Sequence, residues 1–265
     1  MSRIELKNVW KEYGEQVVLE RINLRVEPGE FCTIVGASGC GKTTFLRLLL
    51  GEETPTRGRI LLDGEPLPAE PGPDRGIVFQ RYSVFPHLTV LNNVLLGLEF
   101  RAAPVSGRLF GRARRAARGQ AREMLEAVGL GQSLEKHPAE LSGGMQQRLA
   151  LAQSLVMHPR ILLLDEPFGA LDPGIRSDMH QLVLRLWKEH GLTVFMITHD
   201  LKEGFYLGTR LLVFDKLRHD PQVPHRYGAG ITYDLPVGAH QKELYEEIEE
   251  HVQETEAEVL EGSEE

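Results

Sequence analysis

The stretch Phe31 to Leu50, FCTIVGASGCGKTTFLRLLL, limits the fold more than any other part of the chain. A short buried-strand pattern ends at Val35, and a helix pattern runs from Lys42 to Leu50 before closing at Gly51. Between them Gly36, Ala37, Ser38, Gly39, Cys40, Gly41, Lys42 and Thr43 match G-x-x-x-x-G-K-[ST]. Glycine lets successive backbone N–H groups turn inward, and the helix start adds its dipole, so this loop predicts a cradle for phosphate oxygens. Lys42 is expected to reach the terminal phosphates and Thr43 to offer its hydroxyl to Mg²⁺, with Thr44 completing the nucleotide-binding run.

A buried strand feeding a helix needs further strands beside it. IELKNVWKEY and RINLRVEPGE alternate in strand fashion, RGRILLDGEPL has the alternation and Asp63-Gly64 turn of a hairpin, and GIVFQ reads as another short buried strand. From Tyr82 to about Met157 the periodicity turns helical. Strands then return as RILLLDEP, LTVFMITH and TRLLVFDK, with a helix over Ile175 to Glu189. Apolar strands alternating with helices imply a mostly parallel sheet covered on both faces. The expected fold is therefore α/β, with a mostly parallel core sheet, an N-terminal antiparallel β subdomain and an α-helical insertion at about 82–157. One domain is expected over 1–220, followed by a C-terminal extension over 221–265.

At 265 residues and 42% apolar content the chain can bury a full core. Its N-terminus lacks the apolar segment of a secretory signal, and no run reaches the 18 or so apolar residues that span a bilayer, so a cytosolic chain is expected. Cys32 and Cys40 suit a reducing compartment and give no zinc-ligand spacing. The net charge of −8 is unevenly placed: residues 241–265 hold eleven Glu and one Lys, or −10, which leaves +2 for the rest. That tail reads as a solvated or loosely docked appendage. The opposite run, GRLFGRARRAARGQAREMLEAVGL, could meet nucleic acid or an anionic membrane. Its apolar positions Ala116, Met124, Leu125 and Val128, with Gly129 as the stop, favour a surface helix with an Arg-rich outer face.

Phosphate chemistry also needs carboxylates. ILLLDEP supplies Asp165 at the end of an apolar strand, where it can hold Mg²⁺ through its shell, and Glu166 one step on as general base or water positioner. Strand alternation would send the two to different sides. Gln80 ends GIVFQ and His199 ends FMITH, and ligands gather at the carboxyl ends of parallel strands. Gln80 is thus a candidate for the metal or the attacking water, and His199 for the transferring phosphoryl group.

A second glycine-rich turn, LSGGMQQR at 141–148, is left over from a single phosphate site. With it in place, GASGCGKTT, Gln80, LSGGMQQR, LLLDEP, GALD and His199 stand in the order and approximate spacing of the ATP-binding subunits of ABC transporters, which are P-loop NTPases. The chain resembles that family from Ile4 to about Lys216. The resemblance implies ATP and Mg²⁺, and a second copy docked head to tail. Ser142, Gly143, Gly144 and Gln146 of one copy would then close over the ATP on the other's phosphate loop. Asp172 resembles the loop linking the two sites, and Tyr13 the aromatic that stacks on adenine.

FQRYSVFPHLTVLNNV resembles the segment that grips a permease, and with EPFGALDPGIRSDMHQLVLRLWKE it is most similar to the nitrate, sulfonate and taurine importer group, although His87 stands where many of that group have Trp. This implies a peripheral ATPase on the cytoplasmic face of the membrane, separate permease subunits, a solute-binding protein and no nucleic-acid partner. An exporter ATPase remains open. Two other classes also stay open here: a soluble ABC ATPase acting on ribosomes or DNA, which would usually carry two such domains or a coiled-coil insertion, and an ATP clamp without turnover, which would lack the base.

Overall fold

A computed structural model describes residues 2–80, 83–103, 107–218, 222–223 and 225–237. The acidic tail at 241–265 lies outside these residues. In chain order the elements are β1 (Ile4–Tyr13), β2 (Gln16–Val26), β3 (Phe31–Val35), α1 (Lys42–Leu50), β4 (Arg57–Leu62), β5 (Glu65–Pro66), β6 (Arg75–Val78), α2 (Val90–Ala102), α3 (Gly111–Ala127), α4 (Gly143–Leu155), β7 (Ile161–Asp165), α5 (Pro173–His190), β8 (Thr193–Ile197), α6 (Leu201–Leu207), β9 (Arg210–Asp215) and β10 (Gly230–Pro236). They fall into two compact units, Met1–Gly72 with Gly191–Glu265, and Pro73–His190.

In the first unit an antiparallel sheet runs β2-β1-β4-β5. Its last hairpin turns on Asp63 and Gly64, whose φ values of 54° and 91° are those of a two-residue primed turn. A second group of strands runs β10-β9-β3-β8. There β3 pairs in parallel with both β8 and β9, and β10 closes the edge antiparallel to β9. Every residue of β3 and β8 is buried, which explains why they read as continuous apolar runs rather than alternating ones. Helix α1 is pinned on this layer by Phe45, fully buried, whose ring meets the edges of Phe195 at 6.1 Å and Phe214 at 5.0 Å. Burying such a ring contributes about 2–3 kcal/mol, and here it fixes the direction from which the phosphate loop enters the helix.

In the second unit β6 and β7 pair in parallel, Arg75 opposite Ile161 through Val78 opposite Leu164. Helices α2, α3, α4 and α5 accompany them. Ser154 on α4 donates to the Ile77 carbonyl at 2.6 Å, which holds the helix against β6. The helical periodicity expected after Tyr82 is present as α2, α3 and α4. The parallel strands, the antiparallel N-terminal sheet and these helices make up the α/β fold expected from the sequence.

Three details differ from the sequence reading. On α3 the buried side chains are Ala117, Ala121, Met124 and Leu125, followed by Val128, whereas Ala116 is exposed. The 3.6-residue period puts Ala117 in phase with Met124 and Leu125 and turns Ala116 outward. Strand β6 ends at Val78, so Gln80 lies two residues beyond it, in the loop. Strand β10 lies in the C-terminal extension, for which the sequence reading gives no element. Its ITYDL core carries the β-branched and aromatic residues of a strand, and the surrounding Gly and Pro residues obscure the signal. The same segment also reaches β2, where Glu20 N–H donates to the Ala229 carbonyl and Ala229 N–H to the Val18 carbonyl, each at 2.9 Å.

Candidate active site

The phosphate loop leaves β3 through Gly36 at φ 145°, then passes Gly39 at 77° and Gly41 at 92°. Side chains are excluded at the first and last of these for a second reason. A Cβ on Gly36 would stand 2.1 Å from the Phe214 carbonyl oxygen, and one on Gly41 would stand 2.9 Å from both Leu19 Cδ2 and Val18 Cγ1. Gly41 caps α1 without any side-chain acceptor, and the first turn of α1 holds no acidic residue, so this helix start suits an anion. Lys42 is buried, and its ammonium donates to the carbonyls of Gly36 at 2.6 Å and Ala37 at 2.7 Å. Ser38 and Thr43 are exposed and Thr44 is half-buried. Burial pushes the Cys40 thiol above its ordinary pKa against the opposing pull of the Lys42 charge, so the loop presents a neutral thiol beside the lysine.

Tyr13 lies on the same unit. Its ring is 44% exposed, Lys11 Nζ sits 4.8 Å above the ring centre, and its hydroxyl donates to the Glu53 carboxylate. Lys11 also reaches Glu53 at 2.9 Å. Burial and then the Glu53 hydrogen bond and charge push the phenol up to about 12, while a hydrogen bond with Thr44 of the phosphate loop acts in the opposite sense. Burial alone would raise the Glu53 carboxyl, and Tyr13 and Lys11 together outweigh it and hold the group below its ordinary pKa. The ring is thereby tied to Glu53, just past the end of α1.

His199, on the turn after β8, is exposed. The turn is anchored beneath it: the buried Thr198 hydroxyl donates to Glu203 at 2.5 Å and accepts from Asp200 N–H at 3.0 Å, while the Asp200 carboxylate caps α6 by accepting from Glu203 N–H at 3.2 Å. The pattern Asp200-x-x-Glu203 is the signature of a capped helix start and was available in the sequence. Thr198, which the pattern does not contain, joins Glu203 in anchoring the turn that carries His199.

On the second unit Asp165 closes β7 and is buried. Glu166 does not continue the strand, as alternation would have it. Its backbone turns left-handed at φ 48°, a conformation costly for a side chain with a Cβ and found where function demands it. The turn brings Glu166 to Gln80, whose amide donates to its carboxylate at 3.0 Å. The loop position of Gln80 beyond β6 is thus what allows the pair to meet.

The turn at 141–144 leads into α4. Ser142 is its N-cap and accepts from Met145 N–H at 3.4 Å. A Cβ on Gly144 would stand 2.5 Å from Ile175 Cγ2, whereas around Gly143 there is nothing within 4 Å. Gln146, expected to belong to the site, uses its amide on the carbonyls of Pro138 at 3.0 Å and Leu141 at 3.3 Å, and so shapes the turn. Its neighbour Gln147 is fully buried and donates to the Pro167 carbonyl beside Glu166. Two adjacent glutamines at a helix start give no sequence signal for which one turns inward. Asp172 is exposed just before α5, and its carbonyl accepts from Arg176 N–H at 2.9 Å.

The family model described as "ABC transporter" matches residues 19–169, which include the phosphate loop, Gln80, the 141–144 turn, Asp165 and Glu166. The chain belongs to the ABC transporter family. It is 46% identical over 200 residues to the nitrate import ATP-binding protein NrtD of a Synechocystis strain, covering 76% of this chain and 71% of that one. It is 42% identical over 242 residues to the taurine import ATP-binding protein TauB of Pseudomonas aeruginosa, covering 88% of each. Among solved structures it resembles the dimeric ATP-binding cassette MJ0796 in a post-hydrolysis state bound to ADP and Pi. That match has a TM-score of 0.70 and 31% identity, over 89% of this chain and 99% of that one.

Proposed function

We propose that this protein is the ATP-hydrolysing subunit of a membrane importer for a small polar solute of the nitrate, sulfonate or taurine kind. It acts as two copies facing head to tail, at the cytoplasmic face of separate permease subunits that receive their solute from a solute-binding protein. The observation that carries ATP use is the phosphate cradle, where strained and sterically excluded glycines lead into a helix start without acidic residues, next to Lys42. The import relatives supply the solute class, and the dimeric cassette supports the pairing of copies. Gly143 supports it independently. Glycine is a poorer helix former than alanine, and no neighbour among the described residues demands it. A bare backbone there suits the close approach of another molecule's phosphate.

In this reading the N–H groups of 37–43 and Lys42 bind the phosphates, and Tyr13 carries the base on its exposed face. Thr43, Gln80 and Asp165 offer a hydroxyl, an amide oxygen and a carboxylate, the hard oxygen donors that suit Mg²⁺, which is otherwise held by substrate phosphates and water. Bound there, the ion would neutralise charge on the phosphate oxygens. Gln80 holds the Glu166 carboxylate, which orients water and accepts its proton, and His199 hydrogen-bonds the transferring phosphoryl group. Ser142, Gly143 and Gly144 add donors from the second copy, with Gln146 shaping their turn and Asp172 lying between the two sites. ATP thus stabilises the closed pair, and hydrolysis releases it.

The test is Glu166→Gln. It keeps the turn and the size of the side chain, so ATP binding and an ATP-trapped dimer are expected while turnover falls a hundredfold or more, on the order of the loss of a general base. Turnover equal to that of the parent chain would remove Glu166 from this role.

A further inference from the structure

One part of the second unit departs from the rules that stabilise an isolated domain. Helix α3 starts behind Phe110, which provides no side-chain cap, and its first turn holds no acidic residue. It holds Arg112 and Arg114 instead, charges that oppose the helix dipole at this end. Phe110 is 74% exposed, and Phe100, near the end of α2, is 54% exposed. Arg112 and Arg115 are exposed and have no acidic partner among the described residues, in contrast to Arg114, which pairs with Glu99 at 3.2 Å, and Arg118, which pairs with Glu135 at 3.3 Å.

This tip is held in place. The nearly buried Glu99 ties the two helix ends together, accepting from the Leu109 N–H at 3.5 Å as well as from Arg114. Gly107 N–H donates to the Ala103 carbonyl at 2.8 Å, and Gly107 lies under the Phe100 ring, where an added Cβ would stand 3.3 Å from Cε1. Two exposed aromatic rings, and two exposed guanidiniums without an acidic partner among the described residues, therefore lie at the adjoining ends of α2 and α3 that Glu99 ties together.

We infer that the tip of the α2–α3 hairpin, formed by Phe100, Phe110, Arg112 and Arg115, is a docking surface for an anionic lipid bilayer. Guanidinium groups attract anionic headgroups and can form paired hydrogen bonds to phosphate. Aromatic rings rest at the headgroup boundary, where one side is apolar and the other wet. The attraction is local: the net −8 is the sum of −10 in residues 241–265 and +2 elsewhere, and charges further off than about 8–10 Å are screened at physiological salt. Nucleic acid offers the same phosphate chemistry. The choice of a bilayer rests on the transport reading, which brings the protein to a membrane.

The test is sedimentation of the full chain with vesicles of phosphatidylcholine alone and of phosphatidylcholine with one third phosphatidylglycerol, at low and high salt. Retention on the phosphatidylglycerol vesicles, lost at high salt, is expected. The double variant Arg112→Gln with Arg115→Gln should bind them roughly thirtyfold more weakly, at the usual contribution of a basic residue near an anionic surface, and Phe110→Ser should also bind more weakly. Equal retention on both vesicle types, or retention unchanged in the double variant, would overturn the inference, as would preferential retention on RNA in competition. ATP turnover measured without vesicles should be the same in parent and variants. Its absence in the parent would count against the proposed function and leave the lipid result to be read on its own.

Discussion

At the scale of single residues the site depends on backbone conformations that most side chains avoid. Gly36 is excluded from substitution twice over, by its φ of 145° and by the Phe214 carbonyl 2.1 Å from where a Cβ would lie, whereas Gly39 has φ 77° and open space around it. Gly36→Ala is therefore expected to cost about 3 kcal/mol, as overpacking against a backbone atom that cannot move, and to lower Tm by roughly 6–12 °C. Gly39→Ala should cost about 1 kcal/mol, the left-handed strain alone. Thermal unfolding of the two variants checks this, and equal Tm values would contradict it. Glu166 is the converse case, a carboxylate kept at φ 48° where glycine would relax the turn. Its carboxylate accepts from the Gln80 amide at 3.0 Å.

At the scale of elements, helix starts carry the chemistry. Helix α1 opens on a glycine and offers its N–H groups to an anion, α4 opens on Ser142, and α6 opens on Asp200, whose cap holds the turn of His199. Ser142 has two duties that substitution can separate. Ser142→Ala removes the cap, costing about 1 kcal/mol or roughly 2–4 °C in Tm, and in the proposed dimer also removes a hydroxyl from the other copy's phosphate. Ser142→Asp keeps a capping acceptor and adds a negative charge where phosphate should approach. The aspartate variant should hold the parent Tm within a degree or two and lose ATP-dependent dimerisation, read by size-exclusion chromatography with ATP on the Glu166→Gln background. A Ser142→Asp chain that still dimerises with ATP would contradict the role of this turn.

At the scale of the whole molecule, most of the architecture could be read from the chain because local and tertiary preferences agree there. The fully buried β3, β7 and β8 have apolar runs of strand length, and α1 is bounded by glycine at both ends. What escaped reading was where tertiary contacts decide. Alternation placed Glu166 on a strand that ends one residue before it. The phase of α3 is set by the surface it packs on, and β10 exists because β9 leaves an edge to fill. Arg210 secures that edge with a two-pronged hydrogen bond to Asp234 at 2.6 and 2.7 Å, a pairing 24 residues apart that no local pattern announces. The second glycine turn was legible as a motif, while the purpose proposed for it needs another copy of the chain.

That purpose is tested most directly by mixing two inactive variants, Lys42→Ala, which lacks the phosphate-loop lysine, and Ser142→Asp, which lacks a working second turn. Each alone should turn over ATP at a small fraction of the parent rate, since both sites of its dimer carry the defect. In a mixed pair one site joins an intact phosphate loop to an intact turn, so mixing should restore turnover, up to about a quarter of the parent rate if copies pair at random and each site works independently. Turnover that stays at the sum of the two separate variants would contradict a site shared between copies.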